Sequence, residues 1–98
     1  MDETLPPPAH GLTPALRRLL FRANHRGTRE NDLLIGGFVS ARIGRFTEAE
    51  TAALEAILDI PDPLIGDFLT GRGPMPQGYD PAMLTAMREA ALARTNTV

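Results

Sequence analysis

The sequence predicts an all-α fold, a small single-domain bundle of about five short helices. Two observations carry that expectation. Apolar residues recur at three- and four-residue spacing in successive segments, as one face of a helix requires. Each segment is also bounded by capping or breaking residues: Thr13-Pro14, Gly27-Thr28, Gly44, Thr47, Pro61-Asp62-Pro63 and Asp80-Pro81. No segment alternates convincingly as a strand. The 98 residues suffice for one domain and not two. Aromatic residues make up only 5%, so the core must be mainly Leu, Ile, Ala and Met.

Residues 1–12 read as a flexible arm, because Pro6-Pro7-Pro8 and Gly11 cannot build a helix. The helical domain spans 13–95. Helix one starts at Thr13, a good N-cap, with Pro14 at the first helical position. Leu12, Leu16, Leu19, Leu20 and Ala23 form its buried stripe. Arg18 and Arg22 share a flank that Arg26 extends, and Asn24, His25 and Gly27 end the helix. Helix two runs from about Thr28 to Arg42, with Leu34, Ile35, Phe38, Val39 and Ala41 as its apolar positions. Gly36-Gly37 within it costs about 1 kcal/mol per glycine relative to alanine. Close approach of another helix is the favoured reason, a kink the second.

Gly44 breaks the chain. Thr47 and Glu50 form a capping box, and helix three follows to about Leu58, burying Ala53, Leu54, Ile57 and Leu58. Asp62-Pro63 is read as a side-chain cap opening a short helix four, about 63–70. Residues 71–78 are a Gly/Pro loop. Asp80-Pro81 repeats the cap-and-proline device, and helix five runs to about Arg94 with Met83, Leu84, Met87, Ala90 and Ala91 inward.

Composition excludes several classes of function. There is no cysteine, so disulfides, zinc-thiolate sites and thiol catalysis are absent. No stretch approaches the roughly 20 apolar residues of a membrane span. Asp2 and Glu3 before the prolines suit neither a secretory signal nor a basic transit peptide. A bacterial cytoplasmic protein is the simplest expectation. The net charge of −2 argues against nucleic acid as the main partner. Charge is unevenly placed, however. Seven arginines lie between residues 17 and 45, whereas residues 47–67 carry six acids and no base. Such asymmetry either steers a protein partner or pairs internally.

Catalytic groups are hard to assemble. His10 falls in the arm, His25 reads as a helix C-cap residue, and Ser40 is the only serine, among apolar and small neighbours. Gly71-Arg72-Gly73-Pro74 lacks the lysine of a phosphate loop, and no metal-ligand spacing is present.

The unusual chemistry concentrates in Arg26–Phe38, where a cation and a glycine stand at a helix break and Glu30 and Asp32 open the next helix. Taken alone, this is either dipole-compensating capping or a protein-docking corner in which Gly27 admits a close partner. Arg26, Gly27 and Glu30, followed by Asp32 and Phe38, resemble the RGxxE signature of the SdhE family, also called succinate dehydrogenase assembly factor 2. The resemblance covers roughly residues 15–75. At Leu64-Ile65-Gly66-Asp67-Phe68 the family's later motif keeps only its final aromatic, and Phe68 reads as core.

The resemblance implies an assembly factor rather than an enzyme. It would promote covalent attachment of FAD to a histidine of the flavoprotein subunit of succinate dehydrogenase, or of fumarate reductase. It would have no cofactor of its own and would be a monomer when free. Arg26, Gly27, Glu30, Asp32 and Arg22 would bind the partner. Arg26 would make charge-assisted bonds to the client, and Glu30 would orient the arginine or bind directly. A side chain at Gly27, as in Gly27→Arg, is expected to spare the fold and abolish docking. The alternative is an antitoxin-like interaction regulator.

Overall fold

In the computed structural model, residues 12–95 are described. They form five helices, α1 (Pro14–Asn24), α2 (Arg29–Arg42), α3 (Glu48–Ile57), α4 (Asp62–Leu69) and α5 (Pro81–Thr95), with no strand among the described residues. The all-α expectation holds. The proposed arm, with His10, lies outside the described residues except for Leu12, which is buried in the core.

The capping chemistry operates largely as the sequence implies. Thr13 Oγ1 accepts from Leu16 N at 3.1 Å, and Thr28 Oγ1 from Asn31 N at 3.2 Å. Thr47 and Glu50 bond each other's backbone amides at 3.0 and 2.9 Å, closing the capping box. Asp80 Oδ1 accepts from Ala82 N and Met83 N at the start of α5. The exception is Asp62. It is the first residue of α4 rather than its cap, and no side chain caps that helix. Its carboxylate is turned toward the α1–α2 loop and α2 instead.

The core is aliphatic, as the scarcity of aromatics requires. Leu19 and Ala23 from α1 meet Ile35 and Val39 from α2, Leu54 and Ile57 from α3, Ile65 and Leu69 from α4, and Leu84 and Met87 from α5. Burying each large member contributes about 1.5–3 kcal/mol. Ala53 is only partly buried, a small departure from its predicted place in this set. α2 is the central element, packed against α1, α4 and α5.

Gly36 is where α1 crosses α2. A Cβ on Gly36 would stand 2.3 Å from Asn24 Oδ1 and 3.2 Å from the Ala23 carbonyl oxygen. Close approach, not a kink, therefore explains this glycine. The crossing has a further consequence. Asn24, the last residue of α1, lies beside the middle of α2, so the first turns of α2 extend past α1 and reach α4.

Gly36→Ala should destabilise the fold by about 1–3 kcal/mol through overpacking, despite alanine's better helix propensity. Gly37→Ala, whose Cβ would meet only Arg94 Nη1 at 3.5 Å, should be neutral or stabilise by up to about 1 kcal/mol. Urea denaturation of the two variants measures the difference.

Candidate docking site

Four residues, His25 to Thr28, join α1 to α2. His25 caps α1, its N–H reaching Arg22 O at 3.3 Å. Gly27 has φ +107°, a region open to glycine and strained for other residues. A Cβ there would also lie 3.3 Å from Asp62 Oδ2. The expectation that Gly27→Arg would spare the fold is therefore revised: backbone conformation and Asp62 both oppose any side chain at this position.

The Arg26 side chain turns inward and is only 8% exposed. Its Nε donates to Asp62 Oδ1 at 2.9 Å, Nη2 to Ile60 O at 2.6 Å and Nη1 to Leu58 O. Leu58 and Ile60 belong to the α3–α4 connection. The last carbonyls of a helix have no partner within it and form its negative pole, and the last turn of α3 contains no basic residue. Arg26 supplies the missing cation from the α1–α2 loop and joins the end of α3 to the first turn of α4. Its own backbone N–H donates to Asp32 Oδ1 at 2.5 Å. The loop is thus held from both sides, by Asp32 at the main chain and by Asp62 at the side chain.

Asn31 completes this network. Only 4% exposed, it is the buried polar residue of the described chain. Its Nδ2 donates to both Asp62 O and Asp62 Oδ1 at 3.2 Å. A Cβ on Gly66 would approach Asn31 Oδ1 to 3.0 Å, so this glycine gives the amide its room between α2 and α4.

The predicted site residues divide accordingly. Gly27 and Glu30 are exposed, and Arg29 beside them is too. The Glu30 carboxylate has no hydrogen-bond or ion-pair partner among the described residues. Arg22 pairs with Asp59 at 2.7 Å in a solvent-exposed bridge. Arg26 and Asp32 face inward and shape the corner. In this structure the guanidinium is turned into the bundle, and Asp62 rather than Glu30 orients it. Part of the charge asymmetry is resolved here, since Arg22 and Arg26 pair with acids of the 47–67 segment.

Sequence reasoning missed Asn31 and the inward role of Asp62. A signal for Asn31 existed: with Leu34, Ile35 and Phe38 it falls at i, i+3, i+4 and i+7, a polar residue on an apolar stripe. Phe68 is buried, as read from the sequence. His25 stacks on Phe21, and Ser40 Oγ accepts from Asn24 Nδ2 at 3.4 Å. No group of acids or histidines among the described residues is arranged to hold a metal. No helix there is long and apolar enough to cross a membrane.

A small helical scaffold thus fixes a glycine turn and displays an unpaired glutamate at one corner. Comparisons with known proteins identify the family. Residues 17–91 match the family described as the flavinator of succinate dehydrogenase. Over 78 residues the chain is 50% identical to the FAD assembly factor SdhE of Acetobacter pasteurianus, covering 80% of this chain and 72% of that protein. It is 31% identical over 68 residues to the mitochondrial succinate dehydrogenase assembly factor 2 of Dictyostelium discoideum, covering 69% and 48% respectively. For the corresponding protein of Mycosarcoma maydis the identity is 32% over 71 residues, covering 72% and 30%. No solved structure matches the chain. The chain belongs to the family of succinate dehydrogenase flavinators.

Arg26→Ala should destabilise the protein by about 2–3 kcal/mol, because it removes the cation beside a partly buried carboxylate and the donors to two backbone carbonyls. Glu30→Gln should stay within about 0.5 kcal/mol of the wild type, as expected for an exposed group. Denaturant titration followed by far-UV circular dichroism checks both.

Proposed function

We propose that this protein promotes covalent attachment of FAD to the flavoprotein subunit of succinate dehydrogenase, docking through the corner formed by Gly27, Glu30 and the neighbouring edge of Arg22. The observation that carries this reading is the match to the flavinator family over residues 17–91, which includes the whole corner. Arg26 and Asp32 contribute by fixing its shape. The protein acts as an assembly factor without catalytic groups or a cofactor of its own, and FAD is bound by the client.

The mechanism is one of orientation. Holding the flavin and its attachment residue in a reactive geometry removes most of the entropic part of a barrier, an effect that can reach about 7–11 kcal/mol. A helical corner suits that task because the turn is held by several mutually supporting hydrogen bonds. Gly27 leaves space for a client backbone, and the Glu30 carboxylate is available to accept from client N–H groups, as charge-assisted bonds favour. The protein acts as a monomer in the bacterial cytoplasm.

In-gel flavin fluorescence of the flavoprotein subunit, in cells with and without this protein, tests the reading. Deletion should abolish or greatly reduce covalent flavin. The wild-type chain should restore it, and Glu30→Ala, which should spare the fold because Glu30 is exposed, should restore it poorly. Full covalent flavin in the deletion strain would contradict the proposed function. Full restoration by Glu30→Ala would contradict the placement of the docking surface.

A further inference from the structure

The outward face of α1 carries an arrangement that neither core packing nor the signature explains. Arg18, Phe21, Arg22 and His25 fall at i, i+3, i+4 and i+7, which places them on one stripe of the helix. The buried residues of α1, Leu19 and Ala23, lie off this stripe. Phe21 is 61% exposed, more than any other large apolar side chain among the described residues.

Its ring nonetheless has an intramolecular partner. It stacks on His25 with centroids 3.9 Å apart and planes inclined by 18°. His25 Nδ1 lies 2.7 Å from Phe21 O, a carbonyl that can only accept. Arg22 is fixed by Asp59, and Arg17 Nη1 donates to Leu12 O at 2.7 Å. The Arg18 guanidinium has no such partner among the described residues. α1 itself contains no acid. The stripe is thus an exposed aromatic pair bordered by cations, and its C-terminal end runs directly into the Gly27 corner.

Single exposed apolar residues are common and need no special explanation. This one differs in being stacked on His25 and flanked by arginines, and aromatic residues with arginine are enriched at protein interfaces. An aromatic side chain, with two χ angles, loses little conformational entropy on binding, whereas arginine contributes charge-assisted bonds to carboxylates. Because Asp59 already neutralises Arg22, Arg17 and Arg18 leave this face with an unbalanced positive charge. A second copy presenting the same face would oppose like charges across it, which disfavours a two-fold dimer through this stripe.

We propose that this stripe anchors the flavoprotein client, with Phe21 entering an apolar depression rimmed by acidic side chains and Arg18 pairing with that rim. The proposal rests on the client reading above and adds a contact that the signature does not contain.

The test is the affinity of the purified apo-flavoprotein subunit for the full-length chain, measured by calorimetry at two salt concentrations. Phe21→Ala should weaken binding about 30-fold, the loss typical of an aromatic hot spot, with an unchanged unfolding midpoint. Arg18→Glu should weaken binding most at low salt and flatten its salt dependence. Phe21→Ala binding within about twofold of wild type overturns the proposal. If Glu30→Gln weakens binding at the same time, the client reading survives that failure. If the wild-type chain does not bind the subunit at all, the client reading and this proposal fall together. A wild-type dimer in sedimentation that Phe21→Ala dissociates would assign the stripe to a second copy and also overturn it.

Discussion

The Arg26 guanidinium is the interaction on which the corner depends. One planar group reaches the end of α3, the α3–α4 connection and the first turn of α4, while starting from the loop between α1 and α2. Arginine suits this position because its donors diverge in one rigid plane and remain charged when withdrawn from water. Lysine has a single ammonium that could not match three acceptors in the same geometry. Without the guanidinium, the carbonyls at the end of α3 and the carboxylate of Asp62 would lose their common partner. The α1–α2 turn would then no longer be tied to the opposite side of the bundle.

This divides the labour within the signature. Arg26 and Gly27 are architecture: one clamps the turn, the other supplies a backbone conformation and a space that a side chain would remove. Glu30 is the member left chemically free. Asn31 and Asp32, interleaved with it on the first turn of α2, face the bundle and the loop. An α-helix makes this possible, since successive residues are rotated by about 100° and need not share a face. A short motif can therefore specify both the rigidity of a surface and the group displayed on it. On α1 the adjacent aromatic stripe adds apolar area beside that corner.

The sequence made the helices legible because capping residues and apolar periodicity agree throughout. Thr13-Pro14, Thr28, the Thr47–Glu50 box and Asp80-Pro81 each mark a boundary through a local hydrogen bond that needs no tertiary partner. Gly36 was readable in outline, since an unfavourable residue inside a helix needs a compensating contact. Asp62 was misread because Asp-Pro is an ordinary opening for a helix. What redirected it was Arg26, 36 residues away, and no local pattern reports such a pairing. For the same reason the direction of the Arg26 side chain was not visible in its motif: a cation beside a helix end is equally consistent with solvent, a client or a neighbouring helix. Phe21 escaped notice because one aromatic outside an apolar stripe carries no periodic signal.

The exchange rate of the Arg26 Nε proton with solvent, followed by nitrogen-15 NMR in the free protein and in complex with the flavoprotein subunit, tests the central claim most directly. A slowly exchanging proton whose resonance is essentially unchanged on binding, while the Glu30 side-chain signals shift, is the predicted result. Rapid exchange in the free protein, or a large change at Arg26 Nε on binding, would show that the guanidinium faces outward to the client and would contradict its role as an internal clamp.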